Sequence, residues 1–560
     1  MGATRRRTFL ASALAVPLAA TAVGVERVMA AEPETGTAAA AASAAGDVVG
    51  KITVGYQGWF ACTGDGAPIN CWWHWSPDAQ KAPSPSNNGI KAWPDMSEYT
   101  KSYQTSYAAL GNGKPAVLFS NYDQQVIDTQ FGWMQENGCD TAALQRFNPT
   151  GGEGPTRDAV TAMVKKSAEA TGRKFYIMYD VSGWSQMATQ LPNDWTTKMK
   201  AYTSSSAYAQ QNGKPVVCIW GFGFNDDNHN FSAADCLKVI QWLQAQGCYV
   251  IGGVPTYWRE GKNDSRTGFL DVYHAFDMIS PWMVGRIGDT AGVDWFLQNV
   301  QKADKTDCDA NGIDYQPCVL PGDLKEKQRK HGDFMWRQFY NLVGLKVSGI
   351  YISMFDEYNE GNQIAKTAES AATVPAGAGF LALDEDGTAC SSDYYLRLTN
   401  DGGKMLKGQL ALTATRPTSP MVGADPGGSD DPNVTIALKA KVNSKFVTVA
   451  ANSLVASSAA NGATEKFVVV DLGGGNVALK VKSTGKFVCA ENAGASALTA
   501  DRDAIGGWET FAQVKNSDGT VSFRSGANGK YVCPEDSGAK ALIANRDAIG
   551  PWESFTVVTA

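Results

Sequence analysis

The chain has 560 residues, 19% of them charged and 44% hydrophobic, with 58 Gly and 23 Pro, which excludes both a disordered chain and a charged helical rod. Its 49 Lys plus Arg against 56 Asp plus Glu give a net charge of −7, and this excludes an electrostatic footprint for nucleic acid. The 16 Trp exceed ordinary usage, and such flat amphipathic rings serve either a core or the faces of sugars.

Residues 1–30 read as a signal peptide: Arg5-Arg6-Arg7, then Thr8-Phe9-Leu10, an apolar run from Ala11 to Val25, and Val28-Met29-Ala30-Ala31. The order Arg6-Arg7-Thr8-Phe9-Leu10 resembles the twin-arginine signal of bacteria, which implies an extracellular, secreted protein. No later stretch is apolar for long enough to span a membrane, so no membrane partner is expected. Residues 31–49, rich in Ala, Glu, Thr and Gly, read as a disordered lead-in.

From residue 50 to 416, strand-like runs alternate with helical patterns. The runs are Ile52–Tyr56, Ala116–Ser120, Thr141–Phe147, Phe175–Tyr179, Val216–Trp220, Tyr249–Val254, Met278–Trp282, Tyr315–Leu320 and Gly349–Phe355. Between them, Asp158–Thr171 and Ala233–Gln246 space their apolar residues as helices do. This alternation predicts an α/β fold, a (β/α)8 TIM barrel, with Ala116–Ser120 the run that falls outside it.

Residues 417–433, with Thr418-Ser419-Pro420 and a Gly/Asp/Pro cluster, read as a linker. Beyond it, 434–560 repeats with a period of 44 residues. Gly485-Lys486-Phe487-Val488-Cys489 returns as Gly529-Lys530-Tyr531-Val532-Cys533, and Arg502 to Glu509 returns as Arg546 to Glu553. A weaker first copy holds Ser444-Lys445-Phe446-Val447 and Glu465-Lys466-Phe467. Three units of short alternating strands predict an all-β β-trefoil, and the segment resembles the fascin-like trefoils, which implies a possible carbohydrate-binding domain. Trp508 and Trp552 recur in register with the repeat and are therefore expected in its core.

The 11 Cys cannot all pair within one chain. Cys62 with Cys71 and Cys308 with Cys318 bracket short loops and are the expected disulfides, whereas Cys139, Cys218 and Cys248 lie in apolar runs and are expected as buried thiols. The four His (74, 229, 274 and 331) form no metal-ligand pattern, so no metal and no cofactor is expected.

In a barrel the functional groups stand where the strands end at their C-terminal side. There the sequence carries Tyr56 and Trp59, Arg146, Tyr179-Asp180, Trp184, Trp220, Tyr257-Trp258, Trp282 and, after the last run, Asp356-Glu357-Tyr358-Asn359-Glu360-Gly361. Trp59, Trp184, Trp220, Trp258 and Trp282 are expected to line one cleft as a platform for a polysaccharide or glycan. The carboxylates after the last run are suited to dividing acid and base roles, which glycoside cleavage requires.

Gly55-Tyr56-Gln57-Gly58-Trp59, Trp72-Trp73-His74-Trp75, Gly138-Cys139-Asp140, Lys214-Pro215-Val216-Val217, Gly252-Gly253 and the final acidic segment resemble the clan of glycoside hydrolase families 71 and 99, over residues 50–416. The resemblance implies an endo-acting, retaining glycoside hydrolase. Glu357 falls on the family's base, which deprotonates a sugar 2-hydroxyl to form a 1,2-anhydro intermediate, and Glu360 on its acid/base. It also implies substrate contacts at Trp73, His74, Trp75, Tyr358 and Asn359, although Tyr358 and Asn359 stand where the family has Trp and His. Two other readings remain open: a lectin-like protein without catalysis, and a retaining hydrolase in which Asp180 or Asp277 is a nucleophile paired with Glu360. A monomer is expected.

Overall fold

The computed structural model describes residues 43–421, 435–473, 476–516 and 520–559; the expected signal peptide and most of the lead-in and linker lie outside them. Eight parallel strand positions among the described residues form a ring: β1 (Ile52–Tyr56), β2 (Thr141–Arg146), β3 (Lys174–Asp180), β4 (Lys214–Trp220), β5 (Tyr249–Val254), β6 (Met278–Pro281), β7 (Asp314–Tyr315 with Cys318–Val319) and β8 (Ile350–Ile352). Each pairs in parallel with the next, and β1 pairs with both β2 and β8. The first piece of β7 pairs with β6 and the second with β8, so the path returns on itself as a (β/α) barrel. Pro317, between the two pieces, lacks the N–H that a continuous ladder needs.

The ring is wrapped by helices that include Gln124–Glu136, Gly154–Thr171, Met187–Thr197, Ala233–Ala245 and Asp333–Gly344. The Gly154–Thr171 helix starts ahead of the Asp158 expected from its periodicity, because Pro155 is pre-set for a first helical turn. In the Ala116–Ser120 run, Val117–Leu118 pairs antiparallel with Tyr103–Gln104, outside the ring. The end of the expected disordered lead-in is ordered instead: Val48 and Val49 are buried, and the Asp47 N–H donates to the Gln210 carbonyl at 3.0 Å. Among the described residues no helix is long and apolar enough to cross a membrane.

Which way each strand residue points decides what can reach the mouth of the barrel. A Cβ on Gly55 would collide with the Tyr351 hydroxyl and Met354, and the Tyr351 Oη lies 3.5 Å from Met178 Sδ, so Gly55, Met178 and Tyr351 share the interior. Register then places Gln145, beside Met178, and Asp180 and Trp220, beside each other, on the interior side. Tyr56, Arg146 and Tyr179 alternate with these and face the helices.

The C-terminal region is a separate antiparallel all-β domain, three times clasped in the same way. The backbone N–H of Gly462, Gly506 and Gly550 donates to the carboxylate of Glu465, Glu509 and Glu553, each at 2.8 Å. Two residues after each Glu a Phe (467, 511 and 555) is buried in the core. Trp508 is not in that core as expected; it is 41% exposed, and Trp552 is half-buried, because the residue before each clasped Glu sits on the outward turn.

Neither of the two expected disulfides is present. All eleven cysteines are free and buried. The Cys62 thiol donates to the Phe119 carbonyl at 3.3 Å and the Cys318 thiol to the Pro281 carbonyl at 3.2 Å, while Cys308 lies within the helix Lys302–Asn311. Burial pushes the Cys139 and Cys318 thiols up to about 12, so they stay protonated at neutral pH.

Candidate active site

After β8 the chain turns sharply: the N–H groups of Glu360 and Gly361 both donate to the Glu357 carbonyl, at 3.2 and 3.1 Å. This puts Glu357 and Glu360 on one turn at the C-terminal mouth of the ring, Glu357 buried and Glu360 half-buried. Gln57, just past β1, donates its side-chain amide to Glu357 Oε1 at 2.9 Å.

Gln57 is held by the neighbouring acid. The Asp356 carboxylate accepts the backbone N–H of Gln57 and of Gly58, both at 2.8 Å. The buried Arg157 donates to the Gly58 carbonyl at 2.6 Å and to the Gln145 carbonyl, locking the same turn to β2. Burial pushes Asp356 up to about 6, against the downward pull of the two N–H groups and Arg157. Asp356 is thus engaged as a brace for Gln57. Below the turn, Arg329 donates to the carbonyls of Gly361 at 3.0 Å and Gln363 at 2.8 Å, fixing the backbone that follows Glu360.

Across the mouth, Asp180 and Trp220 end β3 and β4 on the interior side, and Trp282 meets Trp220 edge to face at 5.5 Å. Trp282 and Trp73 are half-buried, as an accessible wall requires. Trp73 Nε1 donates to Glu153 at 3.3 Å, and Glu153 is raised by burial, with Asp180 adding to the rise. Trp59 stacks on His74 at 3.6 Å and also packs along Phe147 at 5.5 Å, so its faces are largely taken by the protein. His74 is lowered to about 3 by burial and by Arg157, which keeps its imidazole neutral. Asn359 is half-buried with a buried Oδ1 that no donor among the described residues meets.

Several residues expected at the mouth lie elsewhere. Tyr56 faces the helices and donates to Gln130 at 2.5 Å. Arg146 forms a buried pair with Asp194, at 2.6 and 2.5 Å, and Tyr179 donates to the same carboxylate at 2.9 Å. Trp75 is fully buried, donating to the Phe119 carbonyl at 2.9 Å and stacked on Phe60. Trp184 and Trp258 are each 1% exposed; Trp184 donates to Gln190, and Trp258 packs on Tyr273 and His274. Tyr358 turns away from the cleft and donates to the Lys366 carbonyl at 2.9 Å. Asp277 accepts from the Val250 N–H at 2.8 Å, at the N-terminal end of the ring and away from Glu360, which removes it as a nucleophile.

Gln57, the inward-facing Gln145, Glu153, Arg157 and Arg329 carry no marker in the sequence; Gln57 alone lies within a recognisable motif, between Gly55 and Gly58. Among the described residues no group of three or more His, Cys, Asp or Glu side chains could hold a metal ion.

No family model and no curated protein matches the chain. Among solved structures it is similar to a GH99 endo-alpha-mannosidase from Bacteroides thetaiotaomicron, at 15% identity over 65% of this chain and 98% of that one, with a TM-score of 0.46. It is also similar to ThreeFoil, a designed three-fold symmetric protein, at 20% identity over 22% of this chain and 99% of that one, with a TM-score of 0.22. A third similarity is to an exo-beta-1,3-galactanase from Clostridium thermocellum, at 16% identity over 23% of this chain and 30% of that one, with a TM-score of 0.21.

Proposed function

We propose that this chain is a secreted, retaining, endo-acting glycoside hydrolase whose substrate is a polysaccharide or glycan, with a (β/α)8 catalytic barrel and a β-trefoil accessory domain. The observation that carries the reading is the turn after β8, where Glu357 and Glu360 sit together and Gln57 donates to Glu357 at 2.9 Å. An amide donor on one carboxylate favours its ionised form, which suits a base, and leaves the more accessible Glu360 to protonate the leaving oxygen.

In this reading Glu357 removes the proton of a sugar 2-hydroxyl as that oxygen attacks the neighbouring anomeric carbon, and Glu360 gives its proton to the departing glycosidic oxygen. Water then opens the 1,2-anhydro ring, with Glu360 as the base and Glu357 returning the proton to the 2-oxygen. Trp73 and Trp282 supply apolar surface for the C–H faces of the sugars, with the buried Trp220 packed behind Trp282. Asp180, at the same mouth, keeps a second reading in play, in which it is the nucleophile of an ordinary double displacement with Glu360 as acid/base.

A panel of α- and β-linked polysaccharides, with product masses and anomeric configuration followed in time, tests the proposal. Retained configuration, with activity lost in Glu357→Gln and kept in Asp180→Asn, supports the first mechanism; the reverse pattern supports the second. Absence of cleavage across the panel would leave the lectin-like reading.

A further inference from the structure

The C-terminal domain carries two copies of one exposed ledge. Ile505 (36%) and Trp508 (41%) project from the loop Arg502–Glu509, and Ile549 (37%) with the half-buried Trp552 projects from the loop Arg546–Glu553. Together these loops hold three of the six large hydrophobic side chains that are exposed among the described residues. Each ledge has the same polar border. Lys486 reaches Asp503 and Lys530 reaches Asp547, both at 2.6 Å, and each aspartate is 84% exposed. The clasping Glu509 and Glu553 fix both loops in the same shape, so the ledges are rigid and need no ordering to be presented. The corresponding loop of the first unit, Asn461-Gly462-Ala463-Thr464-Glu465, keeps the clasp and has neither Ile nor Trp.

We infer that these two ledges are equivalent binding sites for a neutral polysaccharide, each taking one or two sugar rings of the same chain. The size of a ledge argues for this occupant. One indole and one isoleucine form an apolar surface far smaller than the roughly 800 Å² per partner of a stable protein interface. It matches the C–H face of a pyranose, and the carboxylate and ammonium of the same ledge offer an acceptor and donors for sugar hydroxyls. Duplication serves a repeating ligand, because two weak sites on one polymer act together while a compact protein partner would engage only one.

The inference concerns binding alone and stands apart from the catalytic reading, so the two fail separately. Full-length protein is run by affinity electrophoresis in gels containing yeast mannan, laminarin, starch or xylan, and its stoichiometry with a short oligosaccharide of the retarding polymer is measured by calorimetry. Retardation by at least one polymer and a stoichiometry of two are expected. Trp508→Ala and Trp552→Ala should each reduce the stoichiometry to one and weaken polymer binding by roughly 10²-fold, and the double variant should not be retarded. Ile505→Ser with Ile549→Ser supplies a second pair that spares the indoles and should also weaken binding. The inference is overturned if no polymer retards the wild type, if the double variant is retarded like the wild type, or if the ledges prove to hold a second copy, seen as a dimer in sedimentation that the double variant loses.

Discussion

The side chains of Gln57 and Glu357 are joined by a 2.9 Å hydrogen bond across 300 positions of sequence, at the seam where the first and last strands of the ring meet. A hydrogen bond to a charged group contributes about 1.5–3 kcal/mol, equivalent to roughly a 10- to 100-fold change in rate if it is felt in the transition state. Gln57→Leu should therefore reduce kcat/KM by that factor with little change in Tm. A fall in Tm with unchanged kcat/KM would show that the bond serves the fold alone.

Glu360→Gln should lower turnover of a glycan with an ordinary leaving group by about 10²–10⁴-fold, the usual contribution of a positioned general acid, while leaving binding intact. An activated aryl glycoside, which needs no protonation, should recover most of that loss. Glu357→Gln should stay inactive on both substrates, since the 2-hydroxyl still has to lose its proton. Rescue of Glu357→Gln by the aryl substrate would move the base elsewhere.

The tryptophans divide into two classes with opposite signatures. Trp184, Trp258 and Trp75 are buried, so truncation to Ala should cost about 3–5 kcal/mol of stability and depress Tm whatever the substrate. Trp73 and Trp282 are half-buried at the mouth, so Ala there should spare Tm and reduce kcat/KM more for long glycans than for short ones. Tm and kcat/KM measured on all five variants check the division.

His74 supplies a pH test. Its imidazole takes up a proton at about pH 3 in the fold, against an ordinary 6.5, so between these values the unfolded chain binds the extra proton. The fold therefore loses stability as pH falls from 6.5 toward 3, and keeps the full contribution above 6.5. His74→Asn removes the group and retains a residue tolerant of the left-handed backbone (φ 62°) at that position. The drop in Tm between pH 7.5 and 4.5 should be smaller in the variant; an equal drop would assign the acid sensitivity to other groups.

Strand positions were legible because runs such as Tyr249–Val254 are short, apolar and bounded by turn residues. Their facing was not. A parallel barrel strand is buried on both sides, so alternation of polar and apolar residues gives no cue to which side looks inward. Position alone therefore puts Tyr56, Arg146 and Tyr179 at the mouth, whereas the register places them against the helices. The acidic segment after β8 is conspicuous in sequence, but the bracing of Gln57 by Asp356 is not, since only the contacts of Asp356 with the Gln57 and Gly58 N–H groups reveal it. In the second domain, recurrence in register does not mean burial. The structure shows that the repeat preserves the clasp and the Phe behind it, while the Trp in front faces outward.

Because β8 and the turn after it complete a ring begun at β1, the site exists only once the chain has been made nearly to the end of the barrel. A chain made only as far as residue 340 carries Gln57 but not Asp356, which holds the Gln57 backbone, nor Glu357 and Glu360. Truncated or stalled products would then lack the site altogether rather than hold part of it, because its two halves meet only when the last short strand pairs with the first.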